Sequence, residues 1–168
     1  MVDHFFYTKN EGVAMMDKEE QLLTAFSDLY NKRVWLDKLM MEPALKGYTS
    51  SEVHCIEAIG KLAEPNATQL AETLFLTRGA VSKLVRKLTQ KGTITGYKKP
   101  ENKKEVYFRL TPKGQAVFEI HEALHQQLRE RDQEVFQEVS DEQLTAMLSF
   151  MQHYTQHLDQ LIQEQTTK

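Results

Sequence analysis

Apolar residues recur at three- and four-residue steps over most of this chain and give way to alternation only briefly. Over 17–41, Leu22, Ala25, Phe26, Leu29, Tyr30, Val34 and Leu36 follow a helical period, and Trp35 and Leu39 widen the stripe. The pattern predicts a long helix stopped by Pro43 and Gly47. Residues 1–16 carry no period and read as a loose arm or a short extra turn. Thr49-Ser50-Ser51-Glu52 has the spacing of a capping box and opens a helix to about residue 60, with Val53, Ile56 and Ile59 turned to a core. Asn66-Ala67-Thr68-Gln69 repeats that logic for a two-turn helix holding Leu70 and ending near Leu74.

After the short turn Phe75-Leu76, Thr77 is the expected N-cap of another helix. Ala80, Val81, Leu84, Val85 and Leu88 form its apolar stripe, and Gly92 suits the position just past its end. Residues 93–97 and 105–110 read as two short strands, joined by the charged run KKPENKKE into a β-hairpin with an exposed basic tip. Thr111-Pro112 starts a helix that could run to about Glu138, and Ser140-Asp141-Glu142-Gln143 opens a last one over 141–163.

Charge changes the picture. The formal net charge is −3, yet residues 61–109 hold 11 Lys and Arg against 4 Asp and Glu. A basic block inside an acidic chain concentrates a polyanion locally while the flanks discourage indiscriminate binding. The block coincides with the short-turn helix pair and the hairpin. Thr77, Arg78, Ser82 and Arg86 are candidate DNA contacts on the second helix, with Ser82, Arg78 and Arg86 as readers of base edges. Lys83, Lys87 and Lys91 are expected on phosphates, and Lys98, Lys99, Lys103 and Lys104 of the hairpin on adjacent phosphates or in the minor groove.

This is a mainly α chain built on a winged helix-turn-helix over 49–111, with a two-stranded β-hairpin wing. Long helices flank it over 1–48 and 112–168, all within one domain. The flanking stripes exceed what so small a module can cover, which points to a homodimer with interleaved helices on a pseudo-palindromic operator. The rival is a helical protein-interaction scaffold, which has no use for the basic block. One cysteine excludes an internal disulfide, and no apolar run reaches the roughly 20 residues that cross a bilayer. The expected setting is cytoplasmic, with no membrane partner.

Three segments together resemble the MarR family of bacterial regulators: SEVHCIEAIG at 51–60, NATQLAETLFLTRGAVSKLVRKLTQKG at 66–92 and YFRLTPKG at 107–114. The resemblance covers about 20–165. It implies a homodimeric transcription regulator, usually a repressor, that responds to a phenolic or amphipathic ligand, to thiol oxidation or to metal. Many relatives carry Asp-x-Arg in the wing, where this chain has Asn102, Lys103 and Lys104, so a softer wing is expected.

The signal is less legible. His121 and His125, four apart in HEALH, suit two ligands on one metal. The run formally matches a zinc-protease signature, but a protease would also need a third ligand and a substrate cleft, and this helix reads instead as part of a dimer-associated scaffold. By resemblance to zinc-sensing relatives, His54, His121 and His125 form a regulatory zinc site, with a carboxylate from Asp37 or Glu42. Those relatives place a glutamate before the first histidine, where this chain has Val53. His153 and His157 read as solvated surface, and Cys55 as core packing rather than a redox switch. Phe26, Tyr30, Trp35 and Met40 are candidates to line an apolar effector pocket between the first helix and the winged module.

Overall fold

A computed structural model of the chain describes residues 17–166; the expected arm at 1–16 lies outside the described residues. The elements run α1 (Lys18–Ala44), α2 (Ser50–Lys61), α3 (Ala67–Leu74), α4 (Arg78–Gln90), β1 (Ile94–Lys99), β2 (Asn102–Leu110), α5 (Pro112–Gln137) and α6 (Asp141–Thr166). The fold is mainly helical, with one antiparallel hairpin between long flanking helices. The chain divides into two compact units, one ending at His121 and the other beginning at Glu122.

In the first unit the helix starts lie where side chains satisfy orphan N–H groups. Glu52 N donates to Thr49 Oγ (3.3 Å) while Thr49 N donates to Glu52 Oε2 (2.8 Å), which closes the box that opens α2. Asn66 Oδ1 accepts from the N–H groups of Thr68 and Gln69 and opens α3. Thr77 Oγ accepts from Ala80 N at 3.2 Å and opens α4. Between the last two, Phe75 takes a left-handed conformation (φ 53°, ψ 42°), and the Leu76 N–H reaches back to the Ala71 carbonyl at 2.9 Å. That reversal makes the turn short enough to bring α4 directly onto α3.

Pro43 does not stop α1, contrary to the sequence expectation. It sits inside the last turn, where it forfeits the bond that an N–H at 43 would make to the Leu39 carbonyl, and the helix ends one residue later, at Ala44. Gly47, at φ 93°, turns the chain after it. The strands are longer than alternation suggested, because pairing continues through the charged residues: Ile94 faces Leu110, Tyr97 faces Tyr107 and Lys99 faces Asn102. Solvated side chains do not prevent backbone pairing at a hairpin tip.

The core of this unit joins Leu45, Val53, Cys55, Ile56 and Ile59 to Leu70, Val81, Leu88, Ile94 and Phe108, all buried. Buried Thr93 binds the Leu88 carbonyl through its hydroxyl (3.0 Å), and its own carbonyl accepts from Thr111 N (3.0 Å). The end of α4, the start of β1 and the start of α5 are thereby locked together. In the second unit α6 opens on the expected box, with Ser140 N donating to Gln143 Oε1 (3.0 Å) and Gln143 N to Ser140 Oγ (3.3 Å). No described helix is long and apolar enough to cross a membrane.

Candidate nucleic-acid interface and metal-ligand cluster

Val81, Leu84 and Leu88 lie on one face of α4 and are buried. The opposite face holds Ser82, Lys83 and Arg86, with Arg78 and Lys87 at its margins, all exposed. A helix pinned by one stripe and cationic on the other has the form needed to enter a major groove about 12 Å wide. The Ser82 hydroxyl donates to the Arg78 carbonyl (2.9 Å), so its oxygen keeps lone pairs for an outside donor while its proton is engaged.

Lys91 differs from its neighbours. Its Nζ donates to the Gly47 carbonyl and to Glu52 Oε2, both at 2.7 Å, and lies 4.8 Å from the Tyr48 ring centre. A lysine expected on phosphate is instead a clasp between the end of α4, the α1–α2 turn and the cap of α2. Burial works against the Glu52 charge, but the bonds from Lys91 and Thr49 outweigh it and hold the carboxyl below its usual range.

The hairpin divides its lysines in the same way. Lys98, Lys103 and Lys104 are exposed towards its tip. Lys99 instead pairs with Glu64 Oε2 at 2.6 Å and lies 4.3 Å over the Tyr107 ring. The Tyr97 hydroxyl donates to Glu64 Oε1 (2.8 Å), and Arg109 lies over the Tyr97 ring. Asn102 Oδ1 accepts from the N–H groups of Lys104 and Glu105, and its amide donates to the Tyr107 hydroxyl (3.2 Å). That hydroxyl and the Asn66 amide both donate to Glu105 Oε2 at 3.0 Å. The expectation of a soft wing is thus corrected. The missing Asp–Arg pair is replaced by an Asn102–Tyr107–Glu105–Asn66 chain that anchors the wing to the cap of α3. Sequence reading missed it because its members are polar residues far apart in the chain, each ordinary alone.

His54, Glu57 and His121 have ligand atoms within 4.8 Å of one another, and the two imidazole centres are 5.9 Å apart. His121 is buried, with Nδ1 3.9 Å from Glu57 Oε2, while Lys61 Nζ stands 2.6 Å from Glu57 Oε1. Two of the expected ligands therefore meet. The carboxylate beside them is Glu57, one helical turn after His54 on α2, and not Asp37 or Glu42. The H-x-x-E spacing was the overlooked signal. Asp37 pairs with Arg33 at 3.2 Å. His125, half-buried, belongs to the second unit.

Asp37 and Glu42 line a cleft of about 350 Å³ between α1 and the start of α2, with Val34, Met41, Tyr48, Val53 and His54. None of Phe26, Tyr30, Trp35 and Met40 is in this lining; Tyr30 is 69% and Trp35 65% exposed. Helical phase accounts for Trp35 and Met40, which lie to either side of the stripe at 34, 37, 38 and 41 that faces α2, whereas Phe26 and Tyr30 come one to two turns before the cleft begins at Val34. Cys55 is buried in α2, and burial pushes its thiol up to about 12, which suits packing and not thiolate chemistry.

The MarR family model matches residues 48–106. The chain is 38% identical over 74 residues to the HTH-type transcriptional regulator PchR of Bacillus subtilis, a match that spans 44% of this chain and 44% of that relative. It is 31% identical over 117 residues to the uncharacterized HTH-type transcriptional regulator YvnA of the same organism, across 64% of this chain and 74% of YvnA. Among solved structures, Streptococcus pneumoniae FabT in complex with DNA shares the fold at a TM-score of 0.74, with 21% identity, over 86% of this chain and 99% of FabT.

The clasp has a measurable signature. Lys91→Met should destabilise the protein by about 2–3 kcal/mol at pH 7, because it strands the buried Glu52 carboxylate. The Glu52 pKa is lowered in the folded state, so its contribution is complete above the ordinary glutamate range and is lost as pH falls through the folded value. The gap between wild type and Lys91→Met in urea unfolding should therefore close below about pH 4. A gap independent of pH would mean the clasp is not ionic.

Proposed function

The chain belongs to the MarR family, and from that premise we propose that it is a sequence-specific double-stranded DNA-binding transcriptional regulator, acting as a repressor. It binds a pseudo-palindromic operator as a homodimer. The observation that carries this reading is the split within the basic block. Lys91 and Lys99 serve internal ties, while Arg78, Lys83, Arg86, Lys87, Lys98, Lys103 and Lys104 line the outer face of α4 and the wing exposed to solvent. A scaffold has no use for such a sorted surface. The family consists of DNA-binding proteins and not enzymes, so HEALH is not a protease signature here.

The homodimer is supported by apolar surface. Leu29, Tyr30, Trp35 and Leu39 of α1, and Met147, Leu148, Met151 and Ile162 of α6, are each 47–69% exposed. Stripes of this extent mark an interface. Two reading heads about 34–36 Å apart then meet successive major grooves.

A second reading concerns the signal, and the His54–Glu57–His121 cluster favours it. Two imidazoles and a carboxylate suit zinc, and their ligand atoms already lie within 4.8 Å of one another. These three residues would hold the ion, which would supply a crosslink between α2 and the start of α5. The adjoining cleft is the alternative seat, for an amphipathic small molecule.

Three measurements test these readings. Lys104→Ala should weaken binding to all duplexes alike and lower the salt slope by about one unit, while Arg86→Ala should cost about 1–3 kcal/mol of discrimination between operator and random DNA. An unchanged salt slope for Lys104→Ala would remove the wing from the phosphates. Sedimentation at micromolar concentration should give about twice the chain mass, and a single-chain mass would refute the dimer. Zinc titration should show binding that fades below about pH 6 and is lost in both His54→Ala and His121→Ala. Equal, negligible uptake by all three proteins would return the histidines to scaffold.

A further inference from the structure

Each glycine among the described residues has a reason inside the protein except one. Gly47 and Gly92 hold φ values of +93° and +69°. A Cβ on Gly60 would lie 2.8 Å from the Phe118 ring, one on Gly96 would lie 3.0 Å from Val106 Cγ1, and one on Gly114 would run into the Thr93 carbonyl. Gly79 shares none of these constraints. It lies in the first turn of α4 with helical backbone, and a Cβ there would meet only the Thr77 hydroxyl, at 3.9 Å.

Glycine is among the poorest helix formers, so the fold loses by having it at this place. Residues three, four and seven positions further on share its face, and these are Ser82, Lys83 and Arg86. Val81, Leu84 and Leu88 lie opposite and are buried. The missing side chain is therefore centred on the exposed cationic face of α4, where no part of the chain asks for the space.

We infer that Gly79 is the point of closest approach between α4 and the DNA duplex, a specificity-determining residue whose bare backbone lets the helix seat against its operator. The inference rests on the DNA-binding reading above. It has an unusual consequence, because one added methyl group moves stability and binding in opposite directions. Alanine relieves the helix but puts a methyl group into a close-packed contact, where overpacking is unfavourable. Charge is untouched, so the salt slope stays as it was.

The experiment uses the full chain and the duplex that wild-type protein enriches from a random-sequence pool. Gly79→Ala should raise the urea midpoint and lower affinity for that duplex at least about tenfold, with an unchanged salt slope and little effect on a random duplex of equal length. Gly79→Leu should lower the selected affinity further. If wild type enriches a duplex and Gly79→Ala holds it as tightly, this inference falls while the DNA-binding reading stands. An equal loss on selected and random duplexes would also overturn the specificity role. If wild type enriches no duplex, the DNA-binding reading itself fails and takes this inference with it.

Discussion

The outward face of α4 is available because its inward face is fully committed. Val81 and Leu88, two turns apart, are completely buried, and Leu84 between them nearly so. This stripe packs α4 onto α2, α3 and β1. A helix held along its whole length by apolar burial has little rotational freedom about its axis. The direction in which Arg78, Lys83 and Arg86 project is then set by packing, not by the flexible side chains themselves. The left-handed turn at Phe75 and the Thr77 cap complete the constraint by fixing where the helix begins.

A second constraint follows from charge. A basic block must reach an anionic partner without melting its own fold by self-repulsion. Here, besides the Lys61–Glu57 pair on α2, two of its lysines tie separate elements together through carboxylates. Lys91 clasps Glu52, and Lys99 clasps Glu64. Each tie holds an element that carries outward cations, α4 in one case and the wing in the other. Asn66 serves a parallel purpose with neutral chemistry. Its carbonyl oxygen caps α3 and its amide holds Glu105 of the wing. The wing is therefore referenced to the cap of the helix that precedes α4, so hairpin and reading helix share one frame.

The order of elements was legible in the sequence because caps and periodicities are local. Thr49, Asn66, Thr77, Thr111 and Ser140 each accept a capping bond from an N–H three residues on. What escaped was non-local or a matter of phase. A count of lysines cannot tell Lys99 from Lys103, since Glu64 lies 35 residues from Lys99 and only folding brings them together. The cleft residues missed by one helical step, because Trp35 and Val34 both extend the apolar stripe and only packing decides which turns inward. His54 and His121 meet as the resemblance implied, and the carboxylate beside them is Glu57, which shares the His54 face of α2 one turn on and does not come from α1.

Burial also separates the part of the chain that is satisfied alone from the part that is not. The buried apolar side chains fall between Leu45 and Leu128, and none of the described side chains of α1 or α6 is buried. These helices complete their own backbone bonding, yet helical propensity alone leaves such segments marginal in water, and packing of an apolar face normally supplies the rest. In the proposed dimer that face is the partner's, so the order of α1 and α6 is coupled to association and apparent stability depends on concentration. In such a dimer, the pairing of these helices would determine the spacing of the two reading heads. An effector bound at the His54 cluster or in the neighbouring cleft sits where α1, α2 and the start of α5 converge within the first unit. It need not deform the buried module around α4. A bias of roughly 1–3 kcal/mol between two spacings is enough to couple effector to operator, and by linkage the operator biases the effector equally.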